Sequence, residues 1–419
     1  MLKTDITEGI ATVSIDQDGQ RMNLLSTALA VALDGEFARL SADPAVIGII
    51  LTSGKATFVA GADLTEVTQL IERREVAELA VLGQQIRRME TCGKPVVAAL
   101  PGTALGGGLE LALGCHYRIA ADAPGAVYGL PEVGLGLLPG AGGTQRLPRI
   151  VGLEPALRML TDGKPIAADQ AKAIGLIDDV VTTEGLMSAA RAVLAEGRVP
   201  AQQPWDMRGF RMPGTPVSSI EAFTAFLMAN AAATAHAGHF QPAAGTILSA
   251  VFEGIRLPIE RALAVEAGYF AKLAATHAAR GLTEARFFLR QRIAKRGPNV
   301  TAVDNPELTA IAAKVTQAMQ QEAARIAAEG QGANVVRNAA IRAGLPPLVP
   351  PAQPAAQVPD GEPGDAAMLD RIAHRLLDAG AAAVADVPDA DLAALASIDL
   401  AGYPEWTGGP ALWRATAVH

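Results

Sequence analysis

Pro101 to Arg146 reads PGTALGGGLELALGCHYRIAADAPGAVYGLPEVGLGLLPGAGGTQR. Two carboxylates, Glu110 and Glu132, stand in a stretch made largely of apolar residues and glycine. A charge buried in such surroundings is costly unless it has partners or a task. Just upstream, PVVAAL (Pro95 to Leu100) predicts a buried strand, and after a short turn Gly106, Gly107 and Gly108 open a helical stretch, LELALGCHY. Three glycines let a substrate come close to the backbone, and the first amides of a helix are unpaired. That is a place for a developing anion, with Glu110 in the first turn beside it. Glu132 lies 22 residues further on, in GLPEVGLG after a second apolar segment, where a loop would return it to the mouth of the same helix. Each residue also has a plain reading. Glu110 alone fits a solvated first-turn glutamate, and Glu132 alone a loop residue after Pro131. The flanking motifs favour a catalytic reading of the pair.

Working outward, GxALGGGxE, then PE, then GxxPGxGGTQRL follow one another, and FVAGADLTEV (Phe58 to Val67) precedes them. This series resembles the enoyl-CoA hydratase/isomerase (crotonase) family, and more narrowly the hydratase half of the bacterial multifunctional fatty-acid oxidation enzyme. The resemblance implies an α/β fold, a crotonase-like spiral of β-β-α turns over residues 1–185, followed by an all-helical C-terminal region. It makes Glu110 and Glu132 the acid/base pair that holds the attacking water, and the backbone N–H groups of Ala60 and Gly107 the oxyanion hole. The substrate-binding set it implies is Ala60, Gly61, Ala62, Asp63 and Gly107. Met22 and Asn23 would lie near the CoA nucleotide, although RMN reads equally well as a simple helix start. For Asp63 the residues favour a structural role: Asp63 and Glu66 have the spacing of a helix N-cap and its reciprocal partner, opening the helix LTEVTQLIERREV. ADAPGAVYG, between the two glutamates, is longer than is usual in the family and lengthens a surface loop.

Hydration of a 2-enoyl thioester moves charge onto the thioester oxygen, so two fixed N–H donors aimed there lower the barrier selectively. One carboxylate takes a proton from water as it attacks Cβ, and the other delivers one to Cα. Facing carboxylates in an apolar pocket push their pKa values apart, which lets one stay protonated near neutral pH. Which is acid and which base stays open. The expected activity is therefore reversible syn hydration of trans-2-enoyl-CoA to 3-hydroxyacyl-CoA in fatty-acid β-oxidation. A Δ3-Δ2-enoyl-CoA isomerase on the same fold is the nearest alternative, and a catalytically silent acyl-CoA-binding protein is the alternative of another class.

The chain has 419 residues, half of them hydrophobic, which implies more than one domain. A net charge of −8 argues against a nucleic-acid partner. Cys92 and Cys115 sit in apolar surroundings without metal or CxxC spacing, as core thiols of a reducing compartment do. The N-terminus lacks the basic-then-apolar pattern of a signal peptide, and no apolar run is long enough for a membrane span, so a cytoplasmic protein is expected.

IATVSID alternates like a half-exposed strand, RMNLLSTALAVALDGEFARL gives a helix and VIGIILTSG a buried strand. GAGG lacks the spacing of a dinucleotide fingerprint and reads as a turn. Residues 186–298 predict a helical linker region. Residues 299–345 and 366–419 resemble helical repeats of the dehydrogenase half, separated by a Pro/Ala-rich linker at 346–365. Tyr403, Trp406 and Trp413 read as packing anchors.

The NAD-binding Rossmann domain of the multifunctional enzyme is missing between these regions, so no NAD and no dehydrogenase activity are expected. Coenzyme A enters as part of the substrate. His236 and His239 read as loop residues, and no metal site is expected. Candidate partners are a separate 3-hydroxyacyl-CoA dehydrogenase or a thiolase. Because the trailing helices would cover the hydratase surface, a monomer or dimer is favoured over a trimer.

Overall fold

The computed structural model describes residues 1–75, 79–237, 240–297, 305–346, 348 and 365–416. It divides into two compact units, Met1–Val133 with Leu137–Ala232 and Ala244–Leu273, and Gly134–Gly136 with Ala233–Ala243 and Ala274–His419. The unit that holds the α/β core thus runs past residue 185 and takes in most of the helices assigned to the linker region.

The first unit is built on a six-stranded sheet in the order β1-β2-β3-β4-β6-β9. The strands are β1 (Leu2–Thr7), β2 (Ile10–Ile15), β3 (Gly48–Ser53), β4 (Val96–Leu100), β6 (Tyr117–Ala121) and β9 (Asp179–Val181). All neighbours pair in parallel except β1 and β2. A small second sheet carries β5 (Ala104–Leu105), β7 (Val127–Gly129) and β8 (Ile166–Ala167), in the order β5-β7-β8. The chain passes from one sheet to the other and then into a helix, which is the β-β-α spiral expected.

Parallel strands are covered on both faces and read as continuous apolar runs. Every residue of β4 is accordingly buried. Ile50, Val97 and Ile119 pack on one face of the sheet against Leu186, Ala190, Val193 and Leu194. β1 is a strand that the sequence reading left out. Its residues are mostly exposed, and Glu8 (φ +52°) and Gly9 (φ +76°) turn the chain into β2.

The helices of this part are α1 (Thr27–Ala42), α2 (Leu64–Glu72), α3 (Leu79–Glu90), α4 (Gly107–Leu113), α5 (Gly143–Val151), α6 (Leu153–Asp162), α7 (Ala168–Ala173), α8 (Leu186–Ala195), α9 (Ile220–Ala237), α10 (Ala243–Gly254) and α11 (Ile259–Ala274). Several differ from expectation. α1 starts at Thr27, because Ser26 caps it by accepting from Leu29 N–H. The predicted stretch LELALGCHY is helical only to Leu113, and its end turns into β6. α9 carries His236, so that residue is helical; His239 lies outside the described residues. The lengthened ADAPGAVYG segment forms a surface turn at Pro124 and Gly125.

The second unit is helical: α12 (His277–Thr283), α13 (Leu289–Lys295), α14 (Pro306–Ala328), α15 (Ala333–Ala343), α16 (Ala366–Ala382), α17 (Ala390–Asp399) and α18 (Pro410–Thr416). Asn305 caps α14, accepting from Glu307 and Leu308 N–H, with Pro306 at the first helical position where a missing N–H is harmless. Leu289, Val315, Ile326, Val336 and Leu376 share one core with the three anchors. Each anchor is buried with its polar end bonded: Tyr403 Oη donates to Leu377 O, Trp406 Nε1 to Ala343 O and Trp413 Nε1 to Asp378 Oδ1. Most of the Pro/Ala linker falls outside the described residues. Among those described, no helix is long and apolar enough to cross a membrane.

Candidate active site

β5 and β7 bring the two glutamates together. They run parallel, Ala104 opposite Tyr128 and Leu105 opposite Gly129, and Gly106 N–H donates to Gly129 O at 2.9 Å. One strand continues into the three glycines and α4, the other into Pro131 and Glu132. Residues 22 apart in sequence therefore leave the same strand ends side by side.

The glycines are required by space as well as conformation. Gly106 has φ +50°, and a Cβ there would lie 2.6 Å from Glu132 Oε1. A Cβ on Gly108 would lie 2.1 Å from the backbone oxygen of Val59, which no rotamer change can relieve. We expect Gly108→Ala to cost more than about 4 kcal/mol, the range of exceptional single substitutions. Chemical denaturation, or loss of soluble folded protein, reads this out.

Glu110 is buried, and its Oε1 accepts from Ala141 N–H and Gly143 N–H, both at 2.7 Å. Burial raises its pKa to about 6, against the pull of these two donors and of Arg146. Glu132 opens a short 3-10 turn, Glu132–Leu135. Its Oε2 is buried with no hydrogen-bond partner in the protein. Burial, and after it the charge of Glu110, pushes the Glu132 carboxyl well above its usual range. A carboxyl with one buried, unpartnered oxygen beside a second buried carboxyl is an arrangement that can support acid/base chemistry, unlike a structural salt bridge.

Gly107 lies beside the 60–63 loop. Ala62 N would lie 3.6 Å from a Cβ on Gly107, and among the described residues no acceptor is seen for the N–H of Gly107 or Ala62. Ala60 differs: its N–H donates to Asn23 O at 2.9 Å. The amide of Ala60 is therefore already engaged, which corrects its assignment to the oxyanion hole. The sequence pattern located the loop but not which of its amides turns inward.

Asn23 is corrected as well. It is fully buried, its Nδ2 donating to Ile15 O, Ser53 Oγ and Phe58 O and its Oδ1 accepting from Gln17 N–H. This side chain ties three loops together and has nothing left for a nucleotide, whereas Met22 is 44% exposed. Gly61, at φ +130°, accepts from Leu25 N–H through its carbonyl. Asp63 caps α2, accepting from Thr65 and Glu66 N–H. The reciprocal half is not formed, because Glu66 instead accepts from Thr27 N–H at the start of α1. α2 stops at Glu72, short of the predicted LTEVTQLIERREV, and Arg74 turns away at φ +60°.

Residues 5–201 match the model of the enoyl-CoA hydratase/isomerase family. That segment belongs to this family. Among its relatives is the fatty acid oxidation complex subunit alpha of Shewanella loihica, 38% identical over 280 residues, covering 66% of this chain and 39% of that protein. The subunit alpha of Shewanella amazonensis is 38% identical over 274 residues, covering 64% of this chain and 38% of that protein. The chain thus spans about two-fifths of the length of these curated relatives. The human mitochondrial delta3-delta2-enoyl-CoA isomerase shares the fold, with TM-score 0.50 and 22% identity over 71% of this chain and 99% of that one.

Two features of this crotonase site escaped the sequence reading. Arg146 is fully buried against Glu90, Nε to Oε1 at 2.6 Å and Nη2 to Oε2 at 3.1 Å, and its Nη1 donates to Ala141 O at 2.8 Å. Glu266 of α11 is a further buried carboxylate, bonded to the Gly142–Thr144 segment. The criterion that singled out Glu110, one carboxylate in an apolar run, applies equally to ALAVEAGYF (Ala262 to Phe270). Among the described residues no cluster of His, Cys, Asp or Glu could hold a metal ion. Cys115 is buried, which pushes its thiol up to about 12, and Cys92 is half-buried.

Proposed function

We propose that the chain is an enoyl-CoA hydratase that adds water reversibly and syn to trans-2-enoyl-CoA, giving 3-hydroxyacyl-CoA. The observation that carries this reading is the Glu132 carboxyl, whose Oε1 lies against Gly106, whose Oε2 is buried and unpartnered, and whose ionisation the charge of Glu110 opposes. In the forward reaction water oxygen bonds to Cβ while one glutamate takes its proton. The electron pair of the double bond moves to the thioester oxygen, and the N–H groups of Gly107 and Ala62 receive that enolate. The other glutamate then gives a proton to Cα from the same face. Donors fixed before the reaction cost no reorganisation when the charge develops.

Isomerisation of a 3-enoyl-CoA needs only one carboxylate to carry a proton between carbons. Two carboxyls held in one cleft therefore favour hydration. The step is redox-neutral and calls for neither NAD nor a metal. The names of the Shewanella relatives support fatty-acid oxidation as the setting; with it go, as part of the same proposal, a cytoplasmic location and a separate 3-hydroxyacyl-CoA dehydrogenase or a thiolase as partner.

The test is the conjugated enoyl-thioester absorbance. Purified protein given crotonyl-CoA or a medium-chain 2-enoyl-CoA is expected to bleach at least one of them catalytically; a folded protein that bleaches neither overturns the reading. The pH dependence follows from Glu110. One member of the pair must be ionised to accept a proton from water, and Glu110 ionises at about 6. The kcat/KM of hydration is expected to rise about fivefold from pH 5 to 6 and about tenfold from pH 5 to 7, and to level off above that. A profile flat across this range contradicts the assignment.

A further inference from the structure

Four consecutive amides, from the end of the loop before α5 into its first turn, are taken by two carboxylates in strict alternation. Ala141 and Gly143 donate to Glu110 Oε1, whereas Gly142 donates to Glu266 Oε1 at 2.5 Å and Thr144 to Glu266 Oε2 at 2.9 Å. Thr144 Oγ1 adds a second bond to Glu266 Oε2 at 2.5 Å, and Gln145 Nε2 donates to Thr144 Oγ1. The loop is therefore gripped from two sides, by Glu110 on α4 and by Glu266 on α11.

Glu266 is only 1% exposed, and no cation is recorded in an ion pair with it among the described residues. A carboxylate in such a place is a poor device for docking a helix, since apolar residues of similar size would hold α11 at least as well. Its geometry fits another task. Fixing the amides of Gly142 and Thr144 on one side of the loop leaves those of Ala141 and Gly143 directed at Glu110 on the other.

We propose that Glu266 is a positioning residue, which clamps the 141–144 loop so that its inward amides hold the Glu110 carboxyl in its working orientation. Helix α11, far beyond the segment that matches the family model, thereby completes the active site. The effect on turnover rests on the proposed hydratase activity, but the effect on the loop does not.

The test compares wild type with Glu266→Ala, Glu266→Gln and Glu266→Asp, each checked for folding by near-UV circular dichroism. Alanine removes both acceptors, glutamine keeps one, and aspartate keeps two on a shorter stem. Displacing a reacting group by about 1 Å lowers turnover by roughly 10²-fold. Per folded molecule, kcat on an enoyl-CoA is expected to fall by about that factor in Glu266→Ala, with KM within about threefold, and Glu266→Asp is expected to recover at least about tenfold.

Amide hydrogen exchange supplies an activity-independent readout. In Glu266→Ala or Glu266→Gln, protection is expected to fall not only at Gly142 and Thr144 but also at Ala141 and Gly143, the amides bonded to Glu110. If the alanine variant does not fold, the glutamine variant carries the test. Unchanged protection at Ala141 and Gly143, or wild-type kcat in a folded variant, overturns the proposal. If wild type hydrates no enoyl-CoA, the function reading falls, and the exchange result still decides the role of Glu266.

Discussion

Glu132→Gln is expected to lower kcat for hydration of crotonyl-CoA by at least about 10³-fold with little change in KM, measured by the enoyl-thioester absorbance. The substitution keeps the shape of the side chain and removes its ability to give or take a proton. Positioned proton transfer contributes about 10²–10⁴-fold to enzymatic rates, and here the same two groups must also hold the attacking water. KM is spared because binding of the CoA moiety does not pass through this carboxyl. The protein should lose no thermal stability. The Glu132 carboxyl has a buried Oε2 without a hydrogen-bond partner and is repelled by Glu110, so the native state resists its ionisation. A group whose native pKa is raised destabilises the fold once pH exceeds its unfolded value, and glutamine removes that term. Loss of activity with unchanged or higher Tm would mark a functional group. Activity within tenfold of wild type would remove Glu132 from the chemistry.

Arg146→Met is expected to destabilise the protein by about 3–5 kcal/mol in a urea titration. Both side chains of the Arg146–Glu90 pair are completely buried. Removing the cation leaves Glu90 with only the more distant Arg87, 3.2 Å from Oε2, and leaves Ala141 O without its donor. Breaking a buried pair costs far more than replacing it entirely, because one charge stays behind unpaired. Glu90→Gln combined with Arg146→Met is therefore expected to be more stable than Arg146→Met alone. Additive losses in the double variant would contradict this account of the pair. Because Arg146 holds the carbonyl of the residue whose amide binds Glu110, the single variant should also lose activity per folded molecule.

The two facing glutamates were legible because charge is conspicuous in apolar sequence. That contrast and the three glycines between strand and helix drew attention to Glu110 and Glu132, and the flanking motifs suggested that they belong together. The buried strands at 48–53 and 96–100 were legible for a similar reason, as apolar runs too short for helices. β1 was not, since LKTDIT is an edge strand with exposed side chains, and its pairing is carried by the backbone. Ala60 and Ala62 could not be told apart in FVAGAD, because an oxyanion donor acts through its N–H and leaves no mark on side-chain identity. Their difference is set by the parallel pairing of residues 23–25 with 60–63, a long-range contact. Asn23 misled for the opposite reason: a polar residue near a ligand-binding motif suggests contact with the ligand, yet it serves as a cross-brace. Glu66 has capping-box spacing but found the start of α1, so local pattern lost to tertiary contact. Glu266 carries the same signal as Glu110, but it lies far from the family motifs, which end near residue 185.

The central claim, that two carboxyls in one cleft perform hydration, is tested most directly by comparing two reactions on the same preparation. Wild-type protein is given a trans-2-enoyl-CoA and the corresponding trans-3-enoyl-CoA, and kcat/KM is measured for water addition to the first and for double-bond migration in the second. The account predicts that hydration exceeds isomerisation by at least about 10²-fold, and that Glu110→Gln and Glu132→Gln each abolish hydration. Brisk isomerisation without hydration would contradict it.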